Sequence, residues 1–396
     1  MTISIICFLF IIVNIALAQH QTGRISNLPP TFLQDCASTS TEPFMRGIDY
    51  CSYWNDDYLN DYSTSSIAKV WETGNNWISI LVTWYQDDEA TTEIYQDPNR
   101  TPSDEAVLKA IADAKSHKLK VSLKPHIDLD NVDWRALIGG LDYVPDADFD
   151  VFFAAWFTSY KSFMNHYVEM AQKNGVEMIV IGTEYINIME RDNGKTMPAW
   201  ISYIGEIRQK YGGKLTYAAD WSEWGDPSDP QAKIYWKDFW QALDYIGIDT
   251  YYPLSWEDNA TTQDLIQGWQ EPIAILEQIS AVYQRQIIFT EIGYKSIQKC
   301  YISPGAWQYD NPVSEECQRD CYLATYRALS GKKWFAGIFW WGWMPYLKSD
   351  MTNPDSPSWV RDKLSEYWKD YTPEGKLAET VLRTENASLG NQWIAY

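Results

Sequence analysis

Eight times along the chain a short β-branched run gives way to a longer amphipathic stretch, and this alternation constrains the fold more than any other feature. The strand-like runs cover 46–51, 77–84, 119–126, 178–184, 215–221, 245–252, 286–291 and 336–341. Helical periodicity fills 62–73, 103–117, 149–174, 199–211, 233–243, 263–283 and 316–330, with a final piece at 357–370 to close the ring. Apolar runs of this length bounded by polar turns suit parallel strands covered on both faces, and regular alternation makes βαβ units. Eight such units predict one α/β domain, a single (β/α)8 TIM barrel over 44–375, rather than an open doubly wound sheet. No Gly-x-Gly-x-x-Gly pattern follows the first run, which counts against a dinucleotide-binding sheet.

The ends read differently. Residues 1–18 form an uncharged apolar run closing on Ala16-Leu17-Ala18, the pattern of a cleavable signal peptide. The run is shorter than the roughly 20 apolar residues a membrane anchor needs. The expectation is therefore a secreted, extracellular protein with no membrane attachment after cleavage. Residues 19–43 read as a loosely ordered leader, and 376–396 as an extension that wraps the outside or frays.

A net charge of -21 excludes nucleic acid and anionic lipid surfaces as expected partners, because phosphate binding needs a basic face. The 21 Trp and 27 Tyr are more informative. Most must fill the core, but indole and phenol rings also stack on the C–H faces of sugars. A neutral polysaccharide is thus an expected partner, and a monomer the expected state.

With Cys7 in the signal peptide, Cys36, Cys51, Cys300, Cys317 and Cys321 remain, an odd number for an oxidising compartment. Cys300 could close a loop onto the helix carrying Cys317 and Cys321, and Cys36 could tether to Cys51; the pairing stays open. Zinc is disfavoured, since Cys317 and Cys321 lack a matching His or Cys pair nearby in sequence. Sequons at Asn99, Asn259 and Asn386 are candidate glycan sites.

A barrel demands that its chemistry cluster at the C-terminal ends of the strands. Polar and aromatic groups gather there: Asp49 and Tyr50, Trp84, then Lys124, His126 and Asp128, then Asp220 and Trp221. Asp249, Tyr251 and Tyr252 end the sixth run, and Trp340 with Trp341 the eighth. Two apolar runs stop on carboxylates, the fourth at Glu184 and the seventh at Glu291. Cleaving a glycosidic bond with retention needs such a pair about 5 Å apart, one as nucleophile and one as general acid/base. Glu291 is assigned as nucleophile, held ionised by a phenol from Tyr251 or Tyr252, and Glu184 as acid/base. Lys124, His126, Asp128 and Asp220 are candidate sugar-hydroxyl binders, and Trp340 is the expected platform beneath the sugar at the cleavage point. Tyr50, Trp84, Trp221 and Asp249 complete the expected substrate-binding set. This chemistry calls for no metal and no organic cofactor.

Several stretches also carry a family resemblance: Leu81-Val82-Thr83-Trp84-Tyr85-Gln86, Leu123 to Leu129, Ile181-Gly182-Thr183-Glu184, Tyr245 to Leu254, and Phe289-Thr290-Glu291-Ile292-Gly293-Tyr294. Together, from Arg46 to Trp343, they resemble glycoside hydrolase family 113 of clan A, a group of β-mannanases. The resemblance implies retaining endo-hydrolysis of β-1,4-mannan or glucomannan, with Glu184 matching the acid/base and Glu291 the nucleophile. Thr183 stands where many clan members have Asn, and Asp220 where many have Asn in the fifth-strand motif, so the choice of β-1,4-glycan stays open. A barrel that binds polysaccharide without cutting it is the alternative of a different class. Both carboxylates being present speaks for the enzyme, and no Gly-x-Ser-x-Gly or His-Glu-x-x-His suggests another hydrolase.

Overall fold

The computed structural model describes residues 43–223 and 236–392. The signal-peptide reading, nearly all of the leader, and Cys36 lie outside the described residues. Eight parallel strands form a closed barrel in sequence order: β1 (Met45–Tyr50), β2 (Trp77–Gln86), β3 (Lys120–Leu129), β4 (Met178–Thr183), β5 (Lys214–Asp220), β6 (Ile246–Asp249), β7 (Ile287–Ile292) and β8 (Phe335–Trp343). Pairing of Met45 with Gly337 and Gly47 with Phe339 closes the ring between β1 and β8. The expected (β/α)8 architecture is therefore present.

The outer layer consists of α1 (Asp61–Glu72), α2 (Asp104–Ser116), α3 (Asp146–Asn174), α4 (Met197–Lys210), α5 (Trp236–Ala242), α6 (Gln270–Tyr283), α7 (Glu315–Leu329) and α8 (Leu377–Gln392). Their starts follow from local chemistry, since Ser103 and Ser314 accept the exposed N–H groups of the first turns of α2 and α7. Helix α3 stops at Gly175, whose φ of 60° is the left-handed turn that glycine adopts without strain. A third of the 21 tryptophans are fully enclosed core residues. Trp156, Trp200, Trp236, Trp240, Trp269, Trp340 and Trp343 are fully buried, each removing about 150–250 Å² from water.

Inside the barrel, Met45, Trp77, Met178, Tyr245, Ile288 and Phe339 pack as one cluster below the site. Gly47 is required beside them, because a Cβ there would come within 2.2 Å of the Phe339 ring. Strand side chains alternate in direction, so this cluster sets which residues point inward all the way to the mouth.

Two expectations need correction. The helix that completes the outer ring is α8, not 357–370, which forms only the short turns Ser358–Arg361 and Leu364–Tyr367. Of the two readings of the C-terminal extension the described part wraps the outside: α8 buries Ala378 and Leu382, and its buried Asn386 donates to the Thr73 carbonyl at 3.1 Å. In the folded chain that burial puts Asn386 out of reach of a glycan, while Asn99 and Asn259 are exposed. Among the described residues no helix is long and apolar enough to cross a membrane.

Candidate active site

Both glutamates stand at the C-terminal mouth, and their surroundings differ. Glu291, on β7, receives the Lys124 ammonium on Oε1 at 2.5 Å and the Tyr251 hydroxyl on Oε2 at 2.9 Å. Lys124 is completely buried on β3 and also donates to Asp249 at 3.1 Å and the Thr290 carbonyl at 3.2 Å. Burial alone would discharge this amine. The carboxylates of Asp249, Glu291 and Asp49 outweigh it and hold the lysine pKa above its ordinary value. Burial pushes Asp49 and Asp249 well above the usual carboxylate range, and the Lys124 ammonium opposes both shifts.

Glu184 follows β4 directly, with a positive φ of 55° and its backbone N–H bonded to the Ala218 carbonyl of β5 at 2.8 Å. Its carboxyl accepts from the Trp134 indole at 2.8 Å and from Arg135 at 3.3 Å. Burial raises its pKa; Arg135 and Trp134 oppose the shift, and the charge of Glu291 adds to it. Arg135 also grips Asp128 and the Ile127 carbonyl, fastening the β3 loop beside Glu184.

Around this pair lie groups with free hydrogen-bonding capacity. The His126 Nε2, 3.8 Å from Glu291 Oε1, has no hydrogen-bond partner among the described residues. Burial, with Arg135 and Lys124 nearby, keeps this imidazole neutral. Its ring lies parallel to Trp341, centroids 6.2 Å apart. Asp220, on β5, accepts from the Ser222 N–H at 2.8 Å, and its carboxyl is pushed up to about 7 by burial and the neighbouring Glu184.

A family model described as Glycoside Hydrolase Family 113 matches residues 51–359. The chain belongs to glycoside hydrolase family 113. The solved structure of a GH113 β-1,4-mannanase is 25% identical with a TM-score of 0.70, covering 88% of this chain and 100% of that one. The GH113 β-mannanase AaManA from Alicyclobacillus acidocaldarius is 24% identical, again with a TM-score of 0.70, over 88% and 98% of the two chains. A family 5 mannosidase from Rhizomucor miehei shares 13% identity and a TM-score of 0.57 over 91% and 98%. A search of curated proteins returned no match.

Not every candidate residue of this family 113 chain reaches the site. Lys124, His126, Asp128, Glu184, Asp220, Asp249, Tyr251 and Glu291 converge, whereas Tyr50, Trp84, Tyr252 and Trp340 are corrected. Tyr50 is buried outward against α1, where its hydroxyl meets Ser63 at 2.9 Å. Trp84 turns toward α3 and donates to the Tyr167 hydroxyl at 2.8 Å. Trp340 lies in the outer layer, stacked on Tyr322 of α7 with centroids 3.7 Å apart, its N–H on Tyr326. The inward tryptophan of β8 is Trp341. Of the two β6 phenols, Tyr251 reaches Glu291, while Tyr252 packs between Trp221 and Trp269 with centroids 5.0 and 6.1 Å away. Trp221 stays half-buried at the rim. The sequence reading missed Trp134 and Arg135, which follow the Leu123 to Leu129 stretch by only a few residues and carry the donors that meet Glu184.

Proposed function

We propose that this chain is a secreted retaining endo-β-1,4-mannanase in which Glu291 is the nucleophile and Glu184 the general acid/base. The observation that carries the reading is the unequal treatment of two facing carboxylates. Glu291 is held by an ammonium and a phenol, both donors to a charged carboxylate. Glu184 is buried with its pKa raised, the condition of an acid that keeps its proton. In the first step a Glu291 oxygen bonds to the anomeric carbon, the glycosidic C–O bond breaks, and the Glu184 proton passes to the departing oxygen. In the second, Glu184 takes a proton from water, which displaces Glu291 and releases the sugar with its anomeric configuration retained.

Mannan as substrate rests on the likeness to solved family 113 β-mannanases. Endo action rests on exposed tryptophans carried by mouth loops, Trp54 after β1, Trp134 after β3, Trp256 after β6 and Trp307 after β7. Such rings stack on successive pyranose units of a polymer. Secretion rests on the apolar run at 1–18. His126 Nε2 and Asp220 are the groups assigned to sugar hydroxyls, and Trp341 replaces Trp340 as the platform beside them.

The test is release of reducing ends from β-mannan, glucomannan, cellulose and xylan, with Glu184→Ala alongside. Mannan and glucomannan should be cut and the others spared; activity confined to xylan or cellulose would overturn the substrate assignment. Binding without release from any polymer would favour the non-catalytic barrel. Glu184→Ala should lose about 10³-fold on polymer, yet keep its first step on aryl mannosides with activated leaving groups, which depart without a proton. Equal loss on both substrates would rule out Glu184 as the acid.

A pH effect follows from Asp220. Once ionised, near pH 7, its charge disfavours ionisation of Glu184 and keeps the acid protonated to higher pH. Asp220→Asn removes that charge, so the alkaline limb of kcat/KM should move to lower pH by roughly half to one unit. A limb that stays in place or moves upward would contradict the coupling.

A further inference from the structure

The loop between β7 and α7 and the first turns of α7 bring together three thiols that the glycosidase chemistry does not use. The Cys300 and Cys317 sulfurs are 2.9 Å apart, those of Cys300 and Cys321 3.6 Å, and all three lie within 4.8 Å of one another. Cys317 and Cys321 stand one helical turn apart, so both face Cys300 from the same side of α7. Their accessibility differs: Cys317 is half-buried and the most accessible of the three, while Cys300 and Cys321 are buried.

Two chemistries use clustered thiols, and the distances choose between them. Thiolates sharing a tetrahedral zinc at about 2.3 Å from the metal stand roughly 3.8 Å apart, and a closed site has four ligands. Here the nearest pair is well inside that spacing, and among the described residues the cluster comprises the three thiols. Closure to a covalent S–S bond of about 2.05 Å needs only a small further approach of Cys300 and Cys317.

We propose that Cys300, Cys317 and Cys321 form a thiol–disulfide exchange site that closes as a Cys300–Cys317 disulfide and keeps Cys321 as a buried reserve thiol. The half-buried Cys317 is the entry point. It occupies the first turn of α7, where Ser314 caps the helix and the helix end favours a thiolate. Bonds from the Cys300 and Cys321 thiols, then the Cys300 and Lys299 N–H groups, pull its pKa down to about 4, whereas burial holds Cys300 and Cys321 as thiols. The Cys317 thiolate attacks a low-molecular-weight disulfide and expels one thiolate, forming a mixed disulfide. Cys300 attacks the Cys317 sulfur and expels the second thiolate, which takes up the Cys300 proton. Two protein thiols are thereby oxidised and one external disulfide is reduced to two thiols. The bond fastens a loop that also braces the site: Tyr301 joins it to the β6 loop through Leu254 N–H at 2.9 Å, and the Pro304 carbonyl accepts from Tyr371 at 2.6 Å.

The experiment equilibrates the purified full chain with glutathione disulfide, blocks free thiols at low pH, and maps tryptic peptides by mass. Trypsin leaves Cys300 and Cys317 together on peptide 300–319 and, by cleaving after Arg319, puts Cys321 on another, so a Cys300–Cys317 bond appears as a loop within one peptide and any bond to Cys321 as a cross-link between two. The expected result is peptide 300–319 unalkylated and lighter by two hydrogens, with Cys321 alkylated only after unfolding, and the same internal bond in Cys321→Ser. Reduction with a phosphine should lower the Tm of the wild type by about 5 °C and leave that of Cys300→Ser unchanged. Three alkylatable thiols after oxidation, a Cys300–Cys321 link, or one equivalent of zinc per chain as purified would each overturn the proposal. None of these readings depends on mannan cleavage.

Discussion

Glu291→Ala is expected to lower kcat on β-mannan by at least about 10⁴-fold while leaving the Kd for manno-oligosaccharides within about threefold. In the proposed mechanism Glu291 forms the covalent intermediate, so its loss removes that step, whereas sugar stacking and hydroxyl contacts are assigned to other residues. The fold should tolerate the change, since Lys124 keeps Asp249 as a partner at 3.1 Å. Initial rates and calorimetric titration with a manno-oligosaccharide separate the two effects. Residual activity within about tenfold of wild type would remove Glu291 from the chemistry, and loss of binding together with turnover would point to a collapsed site.

The second large effect concerns stability as well as rate. Lys124→Met leaves Asp249 and Glu291 buried with no ammonium between them, a change that costs about 3–5 kcal/mol when one partner of a buried ion pair is removed. In the folded protein the lysine pKa lies above its ordinary value. The stabilisation is therefore fully present below the unfolded pKa of about 10.4 and fades only as pH rises through the higher folded value. Urea unfolding should show the gap between wild type and variant unchanged between about pH 7 and pH 9. A gap that shrinks steadily across that window would mean that the ammonium is not what holds the cluster. Turnover should fall too, because the donor at 2.5 Å from the Glu291 carboxylate is gone.

The barrel itself was legible because each strand had to be apolar on both faces, which gives unbroken runs that end abruptly in polar groups. All eight runs correspond to strands, with ends displaced by a few residues. What could not be read run by run was the inward phase. Trp340 and Trp341 are equally large and apolar, and alternation says only that one of them points out. The deciding fact is the packing at the bottom of the barrel: Phe339 faces in, so Trp341 does, and Trp340 goes to the helices. The same count by twos takes Met45 to Asp49 and leaves Tyr50 outward, and takes Tyr245 to Asp249 and Tyr251 and leaves Tyr252 outward. Trp134 and Arg135 were missed for another reason. They belong to an irregular loop with no periodicity, and only the path of that loop brings them onto Glu184. The closing helix was misplaced because 357–370 is rich in aromatic and charged residues that imitate an amphipathic repeat.

The burial of Asn386 has a consequence for how the chain is made. Its side-chain nitrogen, which donates to Thr73 and Asn75 in the folded protein, is the atom to which an oligosaccharide would be joined. If synthesis runs through a compartment that glycosylates, docking of α8 against the segment after α1 and sugar transfer compete for that one atom. The first to reach it excludes the other. Correct maturation then becomes a kinetic race, decided by how quickly the last helix finds residues placed more than three hundred positions earlier in the chain.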